Sequence, residues 1–265
     1  MSTVSNDSVS LYYRREGESG DGGEPVVFVP EAGLGGWSWG WQHAGLTGPY
    51  ETVVWDLRGT GRSDEPAGPY SMGTLVDDLE TILAAVDARN AHLVGSGLGG
   101  AVALAAARES TRIATLSLLG TAARGEAFGL EPLVASPDDR AALRTSLESA
   151  LSAEFRESQP EVVDGIVDWR VDGDATSEGW EAQLAALEGF DARDWLVEVT
   201  QPTCVLHGTA DELVSPEASR ELASGLPRGE FVPLEGAGHL VGIERSRTVN
   251  DRLLGFLEER SGADR

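Results

Sequence analysis

The 265-residue chain contains no lysine: all 20 of its basic residues are arginine, set against 44 aspartates and glutamates. The resulting net charge of −24 argues against nucleic acid and acidic lipid surfaces as partners, because both are polyanions. The acids are spread along the chain instead of forming a tail, so they describe a hydrated acidic surface of the kind suited to a high-salt (halophilic) cytoplasm. In dilute buffer such a surface repels itself, because screening weakens as the Debye length grows. Cysteine is nearly absent too. The single Cys204 excludes an internal disulfide and reads as a small core residue in the apolar run Thr203-Cys-Val-Leu206. No apolar run reaches membrane-spanning length, and Met1 to Ser10 is polar and unlike a signal peptide. A cytoplasmic protein is expected, with no membrane partner.

What the chain does have is alternation. Val26-Val-Phe-Val29, Thr52-Val-Val-Trp55, His92-Leu-Val94, Ala114 to Leu119, Thr203 to Leu206 and Glu230 to Leu234 read as buried strands. Helical candidates lie between or after them: Ser71 to Asp87, Gly99 to Glu109, Pro216 to Gly225 and Glu244 to Glu259. Strands alternating with helices predict an α/β fold, a mostly parallel sheet flanked by helices. The segment from about 124 to 196 lacks strand-like runs and is helical and acidic, so a small helical lid is expected inside a single domain spanning 1–265. The Gly/Ser-rich stretch 16–24 reads as a surface turn.

One further absence is local. His92-Leu-Val-Gly-Ser-Gly-Leu-Gly-Gly100 has the form of a strand, a tight turn and the start of a helix. That is the setting of Gly-x-Ser-x-Gly, in which the central serine is a nucleophile. Here the pentapeptide is Gly95-Ser96-Gly97-Leu98-Gly99, so the central position carries no side chain. Gly95, Gly97 and Gly100 also spell the dinucleotide pattern Gly-x-Gly-x-x-Gly. The acid that should follow roughly 20 residues on is missing, since that place holds Leu119-Gly-Thr121. No cofactor is expected. His43, His92 and His207 lack metal-ligand spacing, so no metal is expected either.

Three more motifs complete the pattern: Asp56-Leu-Arg-Gly-Thr-Gly-Arg-Ser-Asp64, His207-Gly-Thr-Ala-Asp211 and Gly236-Ala-Gly-His239, each after a strand. The order nucleophile position, Asp, His resembles that of the α/β-hydrolase fold from about residue 25 to the end. Within that family, Glu65 to Ser71, Thr121-Ala-Ala123 and Gly238-His-Leu240 are similar to segments of 3-oxoadipate enol-lactonases. Ala32-Gly-Leu-Gly-Gly-Trp-Ser-Trp39 is similar to a loop of plant esterases and hydroxynitrile lyases.

The resemblance implies that His239 is the base, oriented by Asp211, and that an oxyanion hole is formed by the N–H groups of Leu98 and Ala32. Asp211 also has a plainer reading, as a cap for the helix starting near Pro216. Family members usually carry His-Gly where this chain has Pro30-Glu31, which places a carboxylate, Glu31, beside the pocket or in solvent. Gly97 is then a vacant nucleophile position. Ser96 is one residue early and on the opposite face of the strand end. Three functions stay open. The first is hydrolysis of a small ester- or lactone-like substrate, with water activated by His239 and Asp211. The second is a nucleophile-free lyase or proton-transfer reaction with Glu31 as acid. The third is binding of a small ligand without chemistry. Trp37, Trp39 and Trp41 either line a pocket mouth or pack in the core. Arg58 shapes its turn and has acids nearby to pair with. Oligomeric state is not legible.

Overall fold

A computed structural model describes residues 2–17 and 24–261. Two strands open the chain, β1 (Ser2–Asn6) and β2 (Val9–Glu16), then β3 (Val26–Val29), α1 (Gly40–Leu46) and β4 (Thr52–Trp55). Next come α2 (Met72–Ala85), β5 (Ala91–Ser96), α3 (Leu98–Glu109) and β6 (Ile113–Leu119). Four helices follow: α4 (Arg140–Ala150), α5 (Ala153–Ser158), α6 (Pro160–Gly173) and α7 (Ser177–Leu184). The chain ends with β7 (Thr203–Gly208), α8 (Pro216–Gly225), β8 (Gly229–Leu234), α9 (Val241–Glu244) and α10 (Ser246–Ser261). The sheet order is β1-β2-β4-β3-β5-β6-β7-β8. The pairs β1/β2 and β2/β4 are antiparallel and every other pair is parallel.

Strand side chains alternate between two cores, as the period of a pleated strand requires. Val26, Phe28, Val54, Val94, Leu119, Cys204 and Leu206 face α1, α9 and α10 together with Trp39, Leu253 and Leu257. Val27, Val29, Val53, Trp55, Leu93, Leu118 and Val205 face α2, α3 and α8. Helix α3 is buried on nearly all sides because it is built from Ala, Gly, Val and Leu. Burial pushes the Cys204 thiol up to about 12, which leaves it an inert core residue.

Three features depart from the sequence reading. The hairpin β1–β2 adds two strands at one edge, so the strand before Gly97 is the fifth in chain order and not the third. The hairpin's alternation of Val9 and Leu11 with polar residues is half-buried, which gives no continuous apolar run. Helix α1 contains Gly40 and Gly45, which hid it. The helix expected over 244–259 is two helices broken at Arg245, where Glu244 turns inward to accept hydrogen bonds from the Gly238 and Ser152 N–H groups, both at 2.8 Å. Of the expected turn at 16–24, residues 18–23 lie outside the described residues. Among the described residues no helix is long and apolar enough to cross a membrane.

The segment expected to form a lid holds α4 to α7, over the C-terminal ends of the strands. It is pinned by Arg170, fully buried, whose guanidinium reaches Asp174 (2.6 Å), Ser146 Oγ (2.5 Å) and the Leu133 carbonyl (3.0 Å). Gln183 ties α7 to the loop after β3: its Oε1 accepts from the Gly33 N–H (2.7 Å), and its Nε2 donates to the Arg58 carbonyl and Thr60 Oγ1.

Candidate active site

Four loops at the C-terminal ends of β3, β5, β7 and β8 converge on one point, and each carries one part of the site. After β5 the chain turns at Gly97 with φ +48° and ψ −114°, a conformation that L side chains rarely adopt. A Cβ added at Gly97 would fall inside the Glu31 carboxylate. The place left empty in the sequence is therefore filled in the structure by Glu31, delivered from the loop after β3.

The Glu31 carboxylate makes three contacts. Its Oε1 accepts from the backbone N–H of Ala32 at 2.7 Å and of Leu98 at 2.8 Å. Its Oε2 lies 2.8 Å from His239 Nε2. On the other side of the ring, His239 Nδ1 lies 2.9 Å from Asp211 Oδ2. The two N–H groups read from the sequence as an oxyanion hole thus converge on a single oxygen, and that oxygen belongs to the protein. The alternative placement of Glu31 in solvent does not hold: the residue is 1% exposed. Room for a water molecule on Gly97 is likewise taken up in this conformation.

Both ring nitrogens of His239 face carboxylate oxygens, an arrangement that favours a proton on each nitrogen and hence an imidazolium. Burial pushes its pKa down, but Asp211 and Glu31 outweigh burial and hold it up at about 10. Burial pushes the Asp211 carboxyl up, yet His239 and His207 beside it hold it well below the usual carboxylate range. Asp211 Oδ1 accepts from the Leu213 and Val214 N–H groups at 2.8 and 3.0 Å and so holds its own turn, while the helix starting at Pro216 is capped by Ser215 and not by Asp211.

Ser96 takes neither ring nitrogen of His239, since Asp211 and Glu31 hold both. It lines a void of about 20 Å³ beside Glu31, with Gln42 and Trp39. Trp39 is core; Trp37 and Trp41 pack against Trp169 of α6. Arg58 pairs with the buried Asp78 through two nitrogens, at 2.5 and 2.6 Å. A Cβ at Gly95 would press on the Gly99 and Gly100 backbone, one at Gly97 on Glu31 and one at Gly100 on Thr121, so packing around the turn accounts for the three glycines of the dinucleotide pattern.

Three participants were given no role by the sequence, although His207 opens the motif that ends at Asp211. His207 supports Asp211 from behind, with Nε2 3.2 Å from Asp211 Oδ2 and 2.9 Å from the Val214 carbonyl. Trp180 of α7 is fully buried and packs directly over Gly33, in the loop after β3 that carries Glu31. Glu244 fastens Gly238, next to His239, to Ser152 between α4 and α5. Trp180 and the Ser152 contact of Glu244 act across long sequence separations, whereas His207 reaches Asp211 only four residues on, by a ring orientation that local pattern does not show.

The sequence profile described as "Alpha/beta hydrolase family" matches residues 26–252. Among curated relatives, a putative carbamate hydrolase RutD of Yersinia enterocolitica is 30% identical, over 93% of this chain and 92% of that protein. The enol-lactonase from Burkholderia xenovorans LB400 superposes with a TM-score of 0.85 at 27% identity, over 97% of this chain and 100% of the other. A thermophilic esterase from Thermogutta terrifontis, solved with malate bound, gives a TM-score of 0.80 at 27% identity, over 95% and 94% of the two chains.

Proposed function

The chain belongs to the alpha/beta hydrolase family, and from that premise we propose that it hydrolyses a small ester- or lactone-like molecule with water in place of a serine. One observation carries the reading. A carboxylate already lies with one oxygen on the Ala32 and Leu98 N–H groups and the other against His239 Nε2. A carboxylate is also what hydrolysis of an ester or lactone leaves behind. The pocket at Gly97 is therefore shaped for the acid product and for the oxyanion that precedes it. The similar enol-lactonase, esterase and carbamate hydrolase support the same substrate class.

In this mechanism the observed conformation is the resting state. His239 holds protons on both nitrogens while Glu31 is lodged against it, and an imidazolium is no base. Rotation of Glu31 out of the pocket frees the two N–H groups and removes one of the charges that keep the ring protonated. The substrate carbonyl oxygen then takes the place of Glu31 Oε1, and water takes that of Oε2. Because Gly97 has no Cβ, the volume a serine would use is available to that water. His239 accepts a proton from water as the oxygen attacks the carbonyl carbon, and Asp211 stabilises the imidazolium. The tetrahedral oxyanion rests on Ala32 and Leu98 N–H. Collapse expels the alkoxide, which takes the proton back from His239. Carboxylic acid and alcohol leave, and Glu31 returns.

A second reading, proton transfer or lyase chemistry, is favoured by the direct contact of Glu31 with His239, a ready acid–base relay. Hydrolysis of 4-nitrophenyl acetate and of dihydrocoumarin in molar salt tests the first. The wild type hydrolyses at least one and His239→Ala abolishes the rate; equal rates for the two proteins, or none above buffer, overturn it.

A further inference from the structure

Away from His239 the molecule has a second concavity, of about 340 Å³, between strands β2 and β4 and helix α6. None of Glu31, Asp211 or His239 lines it. Its walls are the aromatic faces of Tyr12, Trp37 and Trp169, with Arg14, Arg62 and His43 between them. Trp37 and Trp169 stand 6.1 Å apart at 34°. Trp169 is 45% exposed, which is unusual for so large an apolar group. This volume and this mix of aromatic walls with a few polar groups are those of a small-molecule pocket.

The polar groups are biased toward donors. Arg62 lies over the Tyr12 ring at 4.8 Å and donates to its hydroxyl at 2.7 Å. Arg14 is shared between Glu16 (3.2 Å) and His43 Nδ1 (3.3 Å). A guanidinium has no acceptor, so His43 Nδ1 accepts and the proton of the neutral ring sits on Nε2. Burial pushes the His43 pKa down, Arg14 adds to this and Glu16 opposes it. The buried Nε2 makes no hydrogen bond among the described residues and faces Glu16 at 3.7 Å, so the ring backs the Arg14 side chain and leaves the cleft's exposed donors to the two arginines. On the acid side, both oxygens of Asp56 are already held, by the Gly36 N–H (2.7 Å) and the Arg62 N–H (3.0 Å). That leaves Asp172 as the other acid of the wall.

We propose that this cleft is a second ligand site, separate from the Gly97 pocket, for a planar aromatic monocarboxylate. The ring stacks on Trp37 and Trp169, and the carboxylate accepts from the Arg14 and Arg62 guanidinium groups that line the cleft. Asp172 disfavours a second negative charge on the ligand. A chain with net charge −24 offers such an anion no long-range attraction. Affinity therefore depends on these local donors and strengthens as salt screens the rest of the surface.

Titration of the full chain with 2-naphthoate in molar salt, read by tryptophan emission, tests the proposal. Saturable quenching is expected, with affinity weakened roughly tenfold by Trp169→Ala and by Arg14→Ala, and by a similar factor for the neutral 2-naphthamide. Both side chains are exposed enough for the variants to fold, which far-ultraviolet circular dichroism checks. Glu31→Gln and His239→Ala leave the affinity unchanged, because neither residue lines the cleft. Absence of saturable quenching overturns the proposal. So does quenching indifferent to the cleft substitutions, or quenching abolished by His239→Ala.

Discussion

Replacing Glu31 by glutamine changes one charge at the centre of the site while keeping its shape. The amide carbonyl still serves the Ala32 and Leu98 N–H groups, but an NH₂ now faces His239 Nε2. That nitrogen must then accept, so the variant favours a neutral ring bonded to Asp211 through Nδ1–H. In the wild type burial lowers the His239 pKa, while Asp211 and Glu31 together raise it to about 10. A charge-assisted hydrogen bond contributes about 1.5–3 kcal/mol, which corresponds to roughly one to two pH units. The expected result is a His239 pKa in Glu31→Gln at least about one unit below the wild type. The chain has four histidines, so ¹H–¹⁵N correlation of the ring nitrogens resolves each titration. Stability follows with a definite sign. A group whose folded pKa lies above its unfolded 6.5 contributes fully below pH 6.5, and the contribution is lost as pH rises through about 10. The stability gap between wild type and variant should therefore be widest below pH 6.5 and close above pH 10. A His239 that titrates identically in both proteins, or near 6.5 in the wild type, would refute the reasoning.

Three further perturbations follow from the same structure. Gly97→Ser places a side chain at φ +48° and inside the Glu31 carboxylate, costing about 1–3 kcal/mol in backbone strain alone; a lower denaturation midpoint and loss of the Glu31–His239 coupling in the titration are expected. Arg170→Met leaves Asp174, which burial already raises to about 6, without its cation. A loss of about 3–5 kcal/mol is expected in urea melts, and a loss under about 1 kcal/mol would contradict the role of Arg170 in holding α4 and α6 together. For the acidic surface, the melting temperature should climb from dilute buffer to molar sodium chloride, because the self-repulsion of a −24 chain is screened; a flat response would contradict it.

What the sequence disclosed and what it hid divide along sequence separation. The strands from Val26 to Leu234 were legible because fully buried parallel strands read as short apolar runs. The hairpin at Ser2–Glu16 was not, since an edge ribbon with one buried face offers only Val9 and Leu11. His239, Asp211, Leu98 and Ala32 could be named from turns local to each strand end, and the structure brings them within hydrogen-bond reach of one carboxylate or of each other. The occupant of the pocket was not legible. Glu31 and His239 are 208 residues apart, and no local rule says whether a loop acid points outward or in. The glycine at 97 was half of that information, because it permits the carboxylate to enter. The other half, the rotamer of Glu31, is a property of the packed site. Glu244 was invisible for the same reason, since it fastens to Ser152, 92 residues away; His207 lies only four residues before Asp211, and its role depends on ring orientation in the packed site.

The most direct measurement is the initial rate of ester hydrolysis by Glu31→Ala relative to the wild type, in molar salt. If Glu31 is a lodged carboxylate that must leave before water and substrate enter, its removal raises the fraction of competent sites, and the rate should increase by about tenfold or more. The increase should vanish in Glu31→Ala combined with His239→Ala. A rate that falls to the buffer background in Glu31→Ala would contradict the account and make Glu31 itself the group that performs the chemistry.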